Sequence, residues 1–289
     1  MKFGTNIMGT GLRHLPEVAN AFEVNGFESI WLPEHLVLPA TLPSTYPYSD
    51  DGTPPFTPDT PVYDPWVLHA VIASATASIK LATNVHILPL RHPLETARSV
   101  ATLDRISRGR VILGVGIGWL RDEFDYLGIP FGQRASRMER SIDVLRRLWR
   151  DDEIEVHDEF FDFGPAKFNP KPSARGVTIE IGAGAERALR RAGRLGDGWI
   201  ETGSASLADF ERRLKLVQAG REEWRRDCPF DVTVSGPLSR DPANFAALRD
   251  LGATRVVVDP FRDLEPRPTP ADIADWARRF ADSVITRHP

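Results

Sequence analysis

A chain of 289 residues, 42% hydrophobic and 26% charged, can form one large α/β barrel or two ordinary domains and has the balance of a soluble globular protein. Its net charge of −4 argues against nucleic acid or an anionic membrane as partner, and its single cysteine, Cys228, excludes an internal disulfide and a cysteine-held metal cluster. No run reaches the roughly 18 apolar residues needed to span a bilayer, and the N-terminus opens on a strand rather than a signal-peptide core, so a cytoplasmic location is expected.

The first strands are expected at residues 2–7 and 27–32, both short and rich in apolar residues. Residues 33–65 follow, holding nine of the 24 prolines together with Tyr46, Tyr48, Phe56 and Tyr63. A loop of that length inside a compact domain is usually functional, and its composition suits a flap packed through aromatics. Asp64-Pro65 opens a helix, with proline at the first position where its missing N–H costs nothing. A strand over 80–87 leads to His92-Pro93, a second opening of the same kind, and a strand over 110–115 runs into Gly114-Val115-Gly116-Ile117-Gly118-Trp119. A helix over 134–150 shows one apolar stripe of Met138, Ile142, Leu145 and Trp149. Residues 151–172 read as a peripheral insertion with a hairpin of 153–156 and 160–163. Strands at 177–182, 198–202, 231–235 and 254–259 complete eight. The helices between them open at Ser206–Asp209, Asp241-Pro242 and Thr269–Asp272, and the last buries Ile273, Trp276 or Ala277, Phe280 and Val284. Eight strand–helix alternations with near-continuous apolar strands predict a single closed (β/α)8 TIM barrel with insertions, in which the C-terminal strand ends carry the site. An open doubly wound sheet is the alternative.

Glu34-His35 follows the second strand. A histidine there suits hydrogen bonding to a ligand ring or proton transfer, with Glu34 orienting it or acting as an acid; the plainer reading is a loop start satisfied by backbone. Asn84-Val85 closes the third strand, where an amide can face a ligand or tie off backbone groups. His86 and His92 lack metal-ligand spacing. The glycine run after the fourth strand is too tightly spaced for a dinucleotide fingerprint and reads as close backbone approach to a flat ring or a sharp turn. Gly182, Ala183, Gly184 and Ala185 lie between a strand and a helix, where backbone N–H groups suit a phosphate, and Arg187, Arg190, Arg191 and Arg194 add positive charge.

Three blocks carry a resemblance: SIWLPEHL at 29–36, LATNVHILPLRHPLETARSVATLDRISRGRVILGVGIGWLRDEF at 81–124, and IEIGAGAERALRRAGRLGDGWI at 179–200. Together they resemble the bacterial luciferase-like monooxygenase family, and within it the branch using the deazaflavin coenzyme F420. The resemblance implies a (β/α)8 barrel, His35 against the flavin or deazaflavin ring with Glu34 in the acidic place, and a non-prolyl cis peptide at Asn84-Val85 bulging toward that ring. It further implies a phosphate held by residues 182–185, a cofactor tail near Arg187, and a homodimer. The sugar-phosphate dehydrogenase branch has Gly-Thr-Gly-Glu where this chain has Gly116-Ile117-Gly118-Trp119, so Trp119 and the aromatic flap point to an apolar or planar small-molecule substrate, with Asp122 as the candidate acid. The expected activity is F420-dependent hydride transfer. The alternatives are an FMN-dependent monooxygenase, a non-catalytic cofactor-binding barrel and a phosphate-binding isomerase; a diffusible cofactor would call for a separate reductase.

Overall fold

A computed structural model describes residues 1–43, 46–47, 52–173 and 176–288; Tyr48 lies outside the described residues. The strands are β1 (Lys2–Thr5), β2 (Ser29–Leu32), β3 (Lys80–Thr83), β4 (His86–Ile87), β5 (Val111–Gly116), β6 (Ile154–His157), β7 (Asp162–Ala166), β8 (Thr178–Gly182), β9 (Gly198–Glu201), β10 (Asp231–Val234) and β11 (Arg255–Val258). The α-helices are α1 (Leu15–Val24), α2 (Pro65–Ala75), α3 (Pro93–Ser107), α4 (Arg121–Tyr126), α5 (Arg134–Arg150), α6 (Glu186–Leu195), α7 (Leu207–Glu223), α8 (Phe245–Leu251) and α9 (Pro270–Ser283).

The parallel pairing runs β1–β2–β3–β5–β8–β9–β10–β11 and returns from β11 to β1, with Phe3 opposite Val256, so the sheet closes into an eight-stranded barrel. The strand expected over 80–87 is two pieces, β3 and β4, interrupted at Asn84-Val85; β4 pairs with the end of β5. The antiparallel hairpin β6–β7 stands apart from the barrel sheet.

Helix starts follow the local chemistry read from the sequence. Asp64 accepts from the N–H groups of Trp66 and Val67 at 2.8 and 3.1 Å, His92 Nδ1 accepts from Leu94 at 3.2 Å, and Thr269 with Asp272 forms a reciprocal capping box. In α5 the buried face is Met138, Ser141, Ile142, Val144, Leu145 and Leu148; Trp149 is only half-buried, because the stripe follows the turn through Leu148 instead.

Alternation along the strands sorts the core into two layers. Outward residues such as Phe3, Ile30, Leu81, Leu113, Ile181 and Trp199 pack with Phe22, Ile72, Val100, Leu145 and Phe210 of the surrounding helices in one continuous cluster. Each such side chain contributes about 1.5–3 kcal/mol by leaving water. Inside the barrel, Trp31, Ala82, Ile112, Ile200 and Val257 form a smaller cluster that Val85 caps. The N-terminal mouth is polar instead. Arg255, with 0% exposure, reaches Glu28 at 2.9 Å, Glu180 at 2.7 Å and Asp231 at 3.3 Å, while Lys80 and Lys2 close on Glu28 and Asp231. That plug leaves the opposite mouth, at the C-terminal strand ends, for a ligand.

Candidate active site

Glu34 and His35 leave the end of β2 in different directions. Glu34 is 6% exposed; its Oε2 lies 2.8 Å from His86 Nδ1 and accepts from the Ile87 N–H at 2.9 Å, and Oε1 pairs with Arg91. Burial raises its pKa, but the charge and hydrogen bond of His86, with Arg91 and the Ile87 N–H, outweigh that and hold the carboxyl below its ordinary range. Glu34 therefore neither orients His35 nor has a proton to give. It anchors β4 instead, with His86 held between Thr96 and the Trp66 ring.

His35 is oriented by Glu123, a residue the sequence reading passed over in favour of Asp122. His35 Nδ1 lies 3.1 Å from Glu123 Oε2, and Glu123 Oε1 accepts from the backbone N–H of Leu36 at 2.6 Å and of Val37 at 3.4 Å. Asp122, half-buried at the start of α4, forms no ion pair among the described residues. One residue of helix is a turn of about 100°, and Leu120, Glu123 and Phe124, all fully buried, share the inner face by their i, i+3, i+4 spacing. That spacing was the available signal. The rest of the His35 ring meets aromatics: Phe56 at 5.3 Å and Trp119 at 6.0 Å between centroids, with Tyr46 completing the group 5.1 Å from Trp119. The long insertion thus brings Tyr46 and Phe56 onto Trp119 and His35.

The Asn84-Val85 peptide is cis. Asn84 donates from Nδ2 to Ser235 Oγ at 3.0 Å, which ties the end of β3 to that of β10. The glycines at the end of β5 leave room for the protein's own atoms. A Cβ on Gly114 would fall 1.9 Å from the Thr83 carbonyl, and one on Gly116 would fall 2.5 Å from Val85 Cγ2. Gly118 does turn the chain, at φ +77°, and so places Trp119.

In the loop after β8 some amides are taken and others are open. The Ala183 N–H goes to the Ile200 carbonyl at 3.4 Å and its own carbonyl accepts from the Trp199 indole at 3.0 Å, so Ala183 belongs to the barrel wall and offers no amide. Gly184 and Ala185 are exposed, and the first-turn N–H groups of α6 after them have no acceptor among the described residues. Arg187 is exposed and forms no ion pair among the described residues. Arg191 and Arg194 are taken by Glu139, and Arg190 by Glu186. A cation the sequence did not signal takes their place: Arg213 of α7 lies 3.6 Å from where a Gly184 Cβ would be and 3.4 Å from that of Gly203. Asp209 holds it at 2.9 Å and the buried Glu201 carboxylate lies 3.8 Å from it. The nearby buried Ser204 Oγ has no hydrogen-bond partner among the described residues. Open amides at a helix start, a guanidinium and an unmatched hydroxyl form a cradle that fits a phosphate-bearing group.

Among the described residues there is no His, Cys, Asp and Glu group able to hold a metal, and no helix is long and apolar enough to cross a membrane.

Comparison with known proteins agrees with this geometry. The sequence model described as luciferase-like monooxygenase matches residues 1–282, including the C-terminal third beyond the three motif blocks. An uncharacterized protein of Mycobacterium tuberculosis is 34% identical over 246 residues, 83% of this chain and 84% of that one. The F420-dependent glucose-6-phosphate dehydrogenase of Amycolatopsis mediterranei is 28% identical over 248 residues, 83% of this chain and 69% of that one. Among solved structures, monooxygenase RslO1 from Streptomyces bottropensis superposes with a TM-score of 0.79 at 18% identity over 100% of both chains. The coenzyme F420-dependent tetrahydromethanopterin reductase of Methanopyrus kandleri superposes with a TM-score of 0.76 at 19% identity over 100% of this chain and 99% of its own. A family match across nearly the whole sequence and a closed barrel converge: this chain belongs to the luciferase-like monooxygenase family.

Proposed function

We propose that this protein is an F420-dependent oxidoreductase that moves a hydride to or from an apolar or planar small molecule. The observation that carries the reading is the juxtaposition at one barrel mouth of His35, walled by Phe56 and Trp119, with a phosphate cradle of Gly184, Ala185, Arg187 and Arg213. Relatives of named activity that cover most of this chain include F420-dependent dehydrogenases, which favours the deazaflavin over FMN. When bound, the deazaflavin supplies the hydride chemistry. The chain supplies the rest. The first turn of α6 and Arg213 would hold the phosphate, Asn84 and Val85 with Gly182 form the floor, and the aromatic group keeps water from the reacting end. Trp119 with Tyr46 and Phe56 gives this end of the pocket an aromatic wall, and this separates the proposed substrate from the sugar phosphate of the named relative.

Equilibrium titration with F420 and with FMN, read by fluorescence, tests this. Micromolar binding of F420 alone supports the reading; binding of FMN alone replaces it with a flavin monooxygenase. Gly184→Asp puts a carboxylate where the phosphate would lie, and at least a tenfold weaker F420 affinity is expected from the lost anion site. Unchanged affinity would remove the phosphate assignment. A homodimer, and a separate reductase serving a diffusible cofactor, belong to the same proposal; sedimentation equilibrium at the two-chain mass checks the first.

A further inference from the structure

We propose that Glu123 is the positioning residue of the site: it fixes His35 in the Nδ1–H tautomer and so makes Nε2 the ring atom that exchanges a proton with the substrate. The inference deepens the function proposed above and rests on it only for the identity of the substrate. Glu123 is fully buried, and both of its carboxylate oxygens are spoken for. Oε1 receives the Leu36 and Val37 amides, and Oε2 is turned to Nδ1 at 3.1 Å. A carboxylate only accepts, so the proton on that contact sits on Nδ1. Nε2 is then the basic atom with a free lone pair, and it has no hydrogen-bond partner among the described residues. Its ring stands among Phe56, Trp119 and, through them, Tyr46.

The chemistry that follows is a single proton transfer. A substrate O–H or N–H gives its proton to Nε2, the imidazole becomes an imidazolium with one proton on each nitrogen, and the adjacent Glu123 carboxylate stabilises that charge; the reverse step returns the proton from Nε2. The same carboxylate pins the first residues of the long insertion through two amides, so one side chain sets both the tautomer of His35 and the root of the segment that carries Tyr46 and Phe56. Glu34 does not compete for the role, because His86 and Arg91 take it.

Glu123→Gln tests this with the backbone contacts kept. The glutamine oxygen still accepts from Leu36 and Val37, while its NH2 now donates to Nδ1 and forces the proton to Nε2. Nitrogen-15 NMR of histidine-labelled protein, with the His35 signals assigned by their loss in His35→Asn, reads the tautomer without any cofactor. The expected result is Nδ1–H in the wild type and Nε2–H in Glu123→Gln. Where F420-linked turnover exists, kcat falls 10²–10⁴-fold with F420 affinity unchanged. Glu123→Asp, which keeps an acceptor on a shorter arm, recovers part of it. A wild-type Nε2–H tautomer, or a Glu123→Gln spectrum identical to the wild type, overturns the proposal. Failure of F420 to bind sinks the functional reading alone, and the positioning role is then decided by the spectra.

Discussion

Replacing His35 by alanine is expected to lower turnover 10²–10⁴-fold, about 3–5 kcal/mol on the barrier, with F420 affinity changed by less than about threefold. The asymmetry comes from the layout of the site. The groups that would hold the cofactor are the amides after Gly184, Arg187 and Arg213, carried by the start of α6 and by α7. His35 hangs from β2, and its contacts are Glu123, Phe56 and Trp119, none of which belongs to that cradle. Loss of the ring removes the proton-transfer group and leaves the phosphate site whole. The measurement is single-turnover F420 absorbance with any member of a panel of ketones and conjugated enones that the wild type converts. Because Glu123 acts through His35, adding Glu123→Gln to His35→Ala should cost nothing further, whereas two independent contributions would multiply. Turnover of His35→Ala within threefold of wild type would leave His35 as wall and nothing more.

The parts of this molecule legible in the sequence are those governed by local chemistry. Strand periodicity, Asp64-Pro65, His92-Pro93 and Thr269 with Asp272 each fix an element by contacts within a few residues, and the barrel follows from their order. The glycines at the end of β5 are visible in the sequence, but their purpose is not. Whether Gly114 and Gly116 admit a ligand or admit Thr83 and Val85 depends on β3, some 30 residues away in the chain, and only the closed sheet shows it. The same distance hid the fate of Glu34. Next to His35 in sequence, it leaves the chain in a different direction, and the partners that hold it, His86 and Arg91, lie more than 50 residues on. Glu123 was readable in principle from its phase with Leu120 and Phe124. Arg213, on the second turn of a helix with no motif around it, was not; its place beside Gly184 is set by how α7 packs on α6.

Substituting Arg255 with methionine is expected to cost about 3–5 kcal/mol of folding stability, because it strands buried carboxylates that were arranged around one cation. Arg255 sits on the first residue of β11 and bridges Glu28, Glu180, Asp231 and the Thr233 hydroxyl inside the barrel, 5.3 Å beneath the Trp31 ring. Methionine fills a similar length but leaves Glu180, fully buried, with only Thr233. Burial already pushes the Glu180 carboxyl up against the pull of Arg255, so in the variant it should fold protonated at neutral pH. Glu28 behaves oppositely. Burial raises it, yet the Arg255 charge and hydrogen bond, with Lys80, bring it down from 4.5 to about 2. A lowered carboxyl contributes stability that is fully present above about pH 4.5 and is lost as pH falls through about 2, worth about 3 kcal/mol for a shift of that size. Wild-type stability should therefore decline across that window, and the decline should flatten in Arg255→Met, where Glu28 keeps only Lys80. Some slope remains from Glu23, which burial raises but the Ser78, Ala77 and Ile79 N–H groups hold at about 2. Urea unfolding followed by circular dichroism from pH 7 to pH 2.5 reads both effects. A variant as stable as the wild type at pH 7, or one with an equally steep acid limb, would show that the lower mouth of the barrel is held by its apolar wall and not by this cation.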